Sequence, residues 1–451
     1  MANDYCSPLD ITQIEQNFSE INPALTTVEA LHEANRCLYC YDAPCTHACP
    51  THIDVPSFIK KIASGNLHGS ARVIFDANPI GASCARVCPV EVLCEGACVE
   101  KTLLDKPIEI GRLQRYATDH AMSSGRQIYT KGESNGKSVG IVGSGPAGLS
   151  CASYLARLGY YVTVYEKRAQ AGGLDTYGMA EYKMPQSVSL SEVEHVEKMG
   201  VKFLLNTEIT AMDDLHSKHD AIFLATGLGE TNKLNIPGEE LDGVYDALHF
   251  IEKIKSRDWK TVPLGKNVLV IGAGNTAIDA VTQAKRLGAE KVTMVYRRTE
   301  KDAPAYDYEM ELARKDGIEF SWQTKPIAIT GVGHINALLC ARPDGTEFEI
   351  KCDMVIKAIG QQKMASFFSD VAGVEVDEKG RVVINDQMQT SNPKIFSGGD
   401  CANGGKEAVD ASQMGKLGAM SIHESLSGEK VEFAGAVLRD PPKAPVDTVP
   451  H

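Results

Sequence analysis

Residues 138–167 read SVGIVGSGPAGLSCASYLARLGYYVTVYEK. A short apolar run leads into Gly143-x-Gly145-x-x-Gly148. An apolar helical stretch follows, and a second apolar run stops at Glu166. Glycines at these three places allow a tight turn, close approach of backbone to a pyrophosphate, and close helix–strand packing. Glu166 stands 23 residues after Gly143, where a carboxylate can accept from a ribose hydroxyl. Glycine spacing alone is a weak signal. Strand, glycine turn, helix, strand and acid in that order predict a dinucleotide-binding βαβ unit rather than a plain βαβ turn.

A second copy lies at KNVLVIGAGNTAIDAVTQAKRLGAEKVTMVYRR (266–298), with Gly272-x-Gly274-x-x-Ala277 at its turn. Asn275 and Thr276 open its helix. Its second strand ends in Tyr296-Arg297-Arg298, with no acid. One acidic and one basic copy suggest FAD at the first and a nicotinamide dinucleotide at the second. Arg297 and Arg298 suit an adenosine phosphate, against the alternative of a solvated strand end. Glu300 and Asp302 follow and would repel that phosphate.

Upstream, eight of the thirteen cysteines fall in two runs, Cys37-x2-Cys40-x4-Cys45-x3-Cys49 and Cys84-x3-Cys88-x5-Cys94-x3-Cys98. Zinc would want pairs with two to four residues inside each pair. Four-cysteine series that carry a Cys-Pro step, as at Cys49-Pro50 and Cys88-Pro89, resemble the iron–sulfur pattern, and two runs suggest two clusters. His47 and His52 read as loop bystanders. Cys6, Cys151, Cys340, Cys352 and Cys401 stand alone and read as small apolar residues or surface thiols. Between the runs, 55–75 has helical periodicity with breaks at Gly65 and Gly69, and 108–122 reads as another helix. Residues 123–138 turn to Gly, Ser and charge, a linker composition.

Composition sets the outer limits. The 451 residues allow two or three domains, and a net charge of −13 disfavours nucleic acid or anionic membrane as main partner. No apolar run reaches the roughly eighteen residues of a membrane span, and MANDYCSPLD lacks signal-peptide features, so a cytoplasmic setting is expected. The segment 440–451 is Pro-rich and reads as a loose tail.

The paired folds resemble the glutathione-reductase-like flavoprotein architecture, with a nicotinamide domain inserted in the FAD domain. Three more stretches match it: GGLDTYGMAEYKMP (172–185), LATGL (224–228) and IFSGGDCANGGKEAVDASQMGKLGA (395–419). That resemblance implies FAD contacts from Gly143, Gly145, Pro146, Ala147, Gly148, Glu166, Lys167, Gly173, Leu174, Ala225, Thr226, Gly227 and Gly399. It places Asp400 at the ribityl and phosphate region. Nicotinamide dinucleotide contacts follow for Gly272, Gly274, Asn275, Thr276, Ala277, Arg297 and Arg298.

With CYDAPC, CARVCPVEVLCEGAC and IEIGRLQRYAT added, the chain resembles the flavoprotein/iron–sulfur subunits of bacterial dihydropyrimidine dehydrogenase. It is also similar to glutamate synthase small subunits and ferredoxin–NADP transhydrogenase subunits. The resemblance implies one [4Fe–4S] cluster on Cys37, Cys40, Cys45 and Cys98, and a second on Cys49, Cys88, Cys94 and Gln114. Gln114 stands where those relatives usually carry an acid, and Cys84 is not a ligand. It implies NADH as donor, with NADPH the alternative, and a role passing electrons to an FMN- and iron–sulfur-containing partner that reduces uracil or thymine, as a heterotetramer. The expected layout is a helical cluster domain (1–122), a linker (123–138), an FAD domain (139–243 and 385–451) and an NAD(P)H domain (244–384). Hydride transfer between stacked rings needs positioning rather than acid–base side chains, so no catalytic residue is expected. A disulfide reductase would need a redox Cys-x-x-Cys beside the flavin, which is missing. A non-enzymatic metal scaffold would leave both nucleotide fingerprints idle.

Overall fold

The computed structural model describes residues 6–256 and 258–435, so the 440–451 tail lies outside the described residues. The chain divides into two compact units. One comprises residues 22–176, 187–228 and 363–451, the other 1–21, 177–186 and 229–362.

The first unit begins with helices. Thr26 and Glu29 form a reciprocal capping box at the start of Thr27–Arg36, and Asp54 caps Val55–Ala63 by accepting from the Ser57 N–H. The expected 55–75 helix is two, Val55–Ala63 and Leu67–Ala77. Gly65 (φ 76°) makes the break, as expected. Gly69 does not break it, because Asn66 caps its N–H at 2.9 Å and the helix runs on. The helix Ile110–Ser123 closes a core of Phe58, Ile59, Ile62, Ile74, Leu113 and Ala117.

After it, 123–137 is less loose than a linker composition suggests. Gly132 and Asn135 donate to the carbonyls of Ala156 and Gly159 at 3.0 and 3.2 Å. The sheet of this unit has five parallel strands, in the order Ile395–Ser397, Ala221–Leu224, Ser138–Val142, Tyr161–Tyr165, Lys202–Leu204. Helices Pro146–Arg157 and Ala408–Ser427 pack together closely because their contact residues are small. A Cβ on Gly415 would sit 2.2 Å from the Ala147 carbonyl oxygen, and Ser150 donates to the Ser412 carbonyl at 2.7 Å.

The second unit repeats the parallel plan, in the order Val244–Asp246, Met354–Lys357, Asn267–Ile271, Lys291–Val295, Glu319–Ser321. An antiparallel sheet of Lys325–Val332, His334–Ala341 and Glu347–Lys351 adjoins it in sequence.

The unit's borders differ from those expected of a nicotinamide domain at 244–384. They fall at 229 and 362, where Gly229 donates to the Gln362 carbonyl and Gln362 to that of Glu230. Residues 1–21 also depart from the expected helical domain. Ile14 and Phe18 of the first helix, Ile11–Asn17, enter the core around Asn275–Leu287, and Phe18 stacks on Trp259 at 4.9 Å. The segment 177–186 is tied in by ions. Lys183 pairs with Asp279 at 2.7 Å and Glu309 at 2.5 Å, and Lys255 with Glu181 at 2.8 Å. No helix among the described residues is long and apolar enough to cross a membrane.

Candidate functional site

Helix ends deliver the cysteines. Cys37, Cys49 and Cys88 follow Thr27–Arg36, Pro44–Ala48 and Gly81–Val87, and Cys98 precedes Val99–Leu104, each in extended backbone. Two groups form. Cys37 has Cys40 and Cys98 as electrostatic neighbours, and Cys45 has Cys98 and Cys37. In the second group Cys88 neighbours Cys84, Cys49 and Cys94, and Cys94 neighbours Cys49. Cys45 is also a neighbour of Cys94, so the groups adjoin.

Burial pushes the Cys45 thiol up to about 12, and Cys94 well above its ordinary range. Such thiols lose their proton only to a strong local positive charge, which an iron core supplies. Among the described residues, no three His, Cys, Asp or Glu side chains converge as ligands of one metal ion do. A four-iron cluster instead takes one protein ligand per iron, mostly thiolates, and two separate thiol groups fit that wider arrangement.

Gln114 is 7 % exposed on helix Ile110–Ser123. Its Nε2 donates to the Gly81 carbonyl at 2.7 Å. With the nitrogen engaged, the amide oxygen is the end left to act as a donor atom. Cys84 is buried and accepts from Asn78 Nδ2 at 3.1 Å. Asn78 in turn accepts from Ser412 Oγ at 2.8 Å, tying the cysteine loops to helix Ala408–Ser427. Four of the five isolated cysteines, Cys151, Cys340, Cys352 and Cys401, are buried, and Cys6 is partly so.

The first glycine turn is built for close approach. A Cβ on Gly143 (φ 100°) would sit 2.2 Å from the Ala225 oxygen, and one on Gly148 would sit 2.0 Å from the Gly143 oxygen. Gly145 is open, its nearest neighbour being the Gly173 Cα at 3.9 Å, and Gly227 (φ 68°) faces nothing within 4 Å. Gly145, Gly173 and Gly227 thus leave a cradle that a dinucleotide fits, at the N-terminus of Pro146–Arg157, where Pro146 and Ala147 start the helix. Glu166 is 6 % exposed and accepts from the Ser144 N–H at 3.1 Å, Ser144 Oγ at 2.6 Å and the Arg168 N–H at 2.9 Å. Lys167 is exposed and Leu174 half-buried, while the Thr226 hydroxyl is buried with no hydrogen-bond partner among the described residues. Gly399 (φ 78°) leads into Asp400, whose carboxyl is raised by burial.

The second turn opens on a cleft of about 710 Å³ lined by Gly272, Gly274, Thr276, Arg297 and Arg298. Asn275 Oδ1 accepts from the Tyr306 N–H at 3.1 Å, and Ala277 is fully buried. The acids expected to repel a phosphate are engaged nearby. Asp302 Oδ2 accepts from the Thr299 N–H and Oγ1 at 3.1 and 2.6 Å, and Glu300 pairs with Arg314.

Sequence reasoning missed four residues around the cysteines. Asn78 and Ser412 are two. Glu192 is buried and accepts from the N–H groups of Ala82 and Ser83 at 2.7 and 3.1 Å and from Ser83 Oγ at 2.5 Å. Burial raises its carboxyl to about 8. Lys416 is fully buried, and burial lowers its ammonium to about 7. A charged residue amid the small and apolar run of 414–420 was the available signal for Lys416.

Cys49, Cys84 and Cys88 pack with Leu149 and Val409, so the second thiol group rests on helices Pro146–Arg157 and Ala408–Ser427 beside the first glycine turn.

Comparison with known proteins agrees with this arrangement. Residues 137–415 match the family described as pyridine nucleotide-disulphide oxidoreductase. Residues 14–126 match that described as dihydropyrimidine dehydrogenase domain II, 4Fe-4S cluster. The NAD-dependent dihydropyrimidine dehydrogenase subunit PreT of Escherichia coli K12 is 35% identical over 418 residues, covering 92% of this chain and 98% of PreT. The small chain of glutamate synthase [NADPH] from the same organism is 35% identical over 452 residues, covering 92% and 95%. In fold, the thioredoxin reductase of T. acidophilum covers 64% of this chain and all of its own, with a TM-score of 0.55 at 22% identity. The chain therefore belongs to the pyridine nucleotide-disulphide oxidoreductase family, as an FAD- and NAD(P)H-dependent oxidoreductase subunit with an N-terminal iron–sulfur domain like those of PreT and the glutamate synthase small chain.

Proposed function

We propose that this chain is the electron-input subunit of a dihydropyrimidine dehydrogenase: it oxidises NAD(P)H at FAD and passes electrons through two [4Fe–4S] clusters to an FMN-containing partner that reduces uracil or thymine. The observation that carries the electron path is the packing of Cys49 and Cys88 on Leu149 and Val409, beside the flavin cradle. FAD would supply the splitting of one hydride's electron pair into two single electrons, and clusters would supply the relay. The chain's residues hold and insulate. Gly145, Gly173 and Gly227 make room for the dinucleotide, Glu166 meets its adenosine ribose, and Asp400 meets the ribityl chain. Cys37, Cys40, Cys45 and Cys98 hold one cluster, and Cys49, Cys88, Cys94 and the Gln114 oxygen hold the other. Gln114→Cys adds a negative ligand and is expected to lower one cluster's potential in an EPR-monitored titration; two unmoved signals would remove Gln114 from the ligand set.

The second cleft is read as admitting both nicotinamide coenzymes. Arg297 and Arg298 line it, and the nearby acids are tied to Thr299 and Arg314. NADH is the donor we assign in the assembled enzyme, a heterotetramer with two copies of each subunit.

The test uses the purified chain with NADH. Alone it should reduce artificial acceptors and leave uracil and thymine untouched, and pyrimidine reduction should start on adding the FMN subunit. Glutamate formation on adding a glutamate synthase large subunit, with no gain from the FMN subunit, would transfer the chain to that system.

A further inference from the structure

Helix Ala408–Ser427 carries a lysine where its neighbours are small or apolar, and none of the Lys416 side chain is exposed. Its Nζ donates to two neutral acceptors, the carbonyls of Thr51 at 3.1 Å and Ala434 at 2.9 Å. Carbonyl dipoles solvate an ammonium, but a buried charge also needs an opposite charge. Besides the Arg157 cation, which opposes its charge, the groups whose negative charge would act on Lys416 are Cys49 and Asp76. Asp76 is already paired with Arg157 at 2.6 Å. That leaves Cys49. Thr51 bridges the two, with its carbonyl on Lys416 and its hydroxyl 3.4 Å from Cys49 Sγ.

Lys416 also stands eight residues into its helix, two turns beyond the end where Val409 packs with Cys49 and Cys88. A four-iron core held by three thiolates and a neutral amide is a net anion, and it gains one more negative charge when reduced. We propose that Lys416 is the buried counter-charge of the cluster held by Cys49, Cys88 and Cys94, and that it favours that cluster's reduced state. An electron arriving from the flavin side then enters next to a buried ammonium rather than in an uncompensated apolar core.

The inference rests on the cluster assignment given above, and its test separates the two. Full-length protein with its cofactors would be compared with Lys416→Met, which keeps length and loses charge, and with Lys416→Arg, which keeps charge. EPR-monitored redox titration follows each cluster. One unit charge acting through partly buried protein is worth on the order of tenfold in an equilibrium constant. Lys416→Met should therefore make the Cys49-bound cluster about tenfold harder to reduce, about 59 mV lower for one electron. The other cluster should move less, and Lys416→Arg should stay near the parent.

Selective loss of the Cys49-bound cluster in Lys416→Met, with retention in Lys416→Arg, would also support the counter-charge. An unshifted potential in Lys416→Met, or loss of the cluster in both variants, would overturn it and leave only a structural tie. A parent protein whose iron content and EPR show one cluster would instead overturn the cluster assignment itself.

Discussion

The two βαβ units of this chain share their backbone and differ in what they place on it. In the first, the Gly143 N–H donates to Tyr165 O, Glu166 to Leu204 O, and Thr207 to Glu166 O, at 2.9, 2.9 and 2.8 Å. In the second, Gly272 donates to Val295 O, Tyr296 to Ser321 O, and Thr324 to Tyr296 O, at 3.0, 3.0 and 2.9 Å. Position by position, Glu166 answers to Tyr296, Ser144 to Ala273 and Gly148 to Ala277. A Cβ on either first glycine would sit 2.2 Å from a backbone oxygen, and either second glycine faces open space to 3.8 Å or more.

The turn is thus one solution used twice. The two units differ in the side chains at the end of the second strand. Glu166 turns its carboxylate onto Ser144 at the turn, whereas the Tyr296 hydroxyl donates to Asp302 O at 3.0 Å while Tyr296 lines the cleft beside Arg297 and Arg298.

The largest expected effect separates the third positions of the two turns. Gly148→Ala would drive a methyl to 2.0 Å from the Gly143 oxygen, so it should cost about 3 kcal/mol and empty the flavin site. Ala277→Gly removes a buried methyl without a clash and should cost only about 1 kcal/mol, flavin retained. Thermal melts with flavin counted by absorbance check this, and equal losses would show that the two turns are not packed alike.

Next, Glu166→Ala should lower FAD retention through lost charge-assisted bonds worth about 1.5–3 kcal/mol, while Tyr296→Phe leaves NADH binding within about twofold. Unchanged flavin occupancy in Glu166→Ala would remove the acid from the ribose site.

The coenzyme test is smaller. Arg298→Ala should weaken NADPH about tenfold, the value of one charge-assisted contact of about 1.4 kcal/mol, and leave NADH nearly unchanged. Steady-state KM values with each coenzyme decide it, and equal losses would make Arg298 a general wall of the cleft.

The last effect concerns Glu192, in the unit that carries the first glycine turn. Glu192 holds the N–H groups of Ala82 and Ser83, and burial raises its carboxyl from 4.5 to about 8 although three donors favour the charged form. The native state then binds more protons than the unfolded chain between these values. Stability from this group is complete below about 4.5 and is lost as pH rises through about 8. Melting temperature should fall across that window in the parent and fall less in Glu192→Gln; parallel curves would show that Glu192 stays ionised.

Much of this was legible because it is local. Glycine spacing reports turn geometry within a few residues, and the two cysteine runs announce themselves by density. The break at Gly65 was readable too, being a matter of one residue's φ. The break expected at Gly69 failed, since Asn66 supplies a cap that outweighs a glycine's low helix propensity.

The fate of residues 1–21 was not legible. Ile14 and Phe18 are ordinary amphipathic positions, and nothing local says which core they enter; they fill the one around Asn275–Leu287, more than 250 residues away in the chain.

Alone, then, the sequence determined the two nucleotide turns, the acid at one and the arginines at the other, and the presence of a metal-density cysteine region, because each is written in contiguous residues. Tertiary structure decided which thiols group together, that Gln114 turns its nitrogen to Gly81, and that Lys416 and Glu192 reach the cysteine loops from helices Ala408–Ser427 and Gln186–Glu197. Those depend on burial and on partners far apart in sequence. A lysine reads as a surface charge until the fold removes its water.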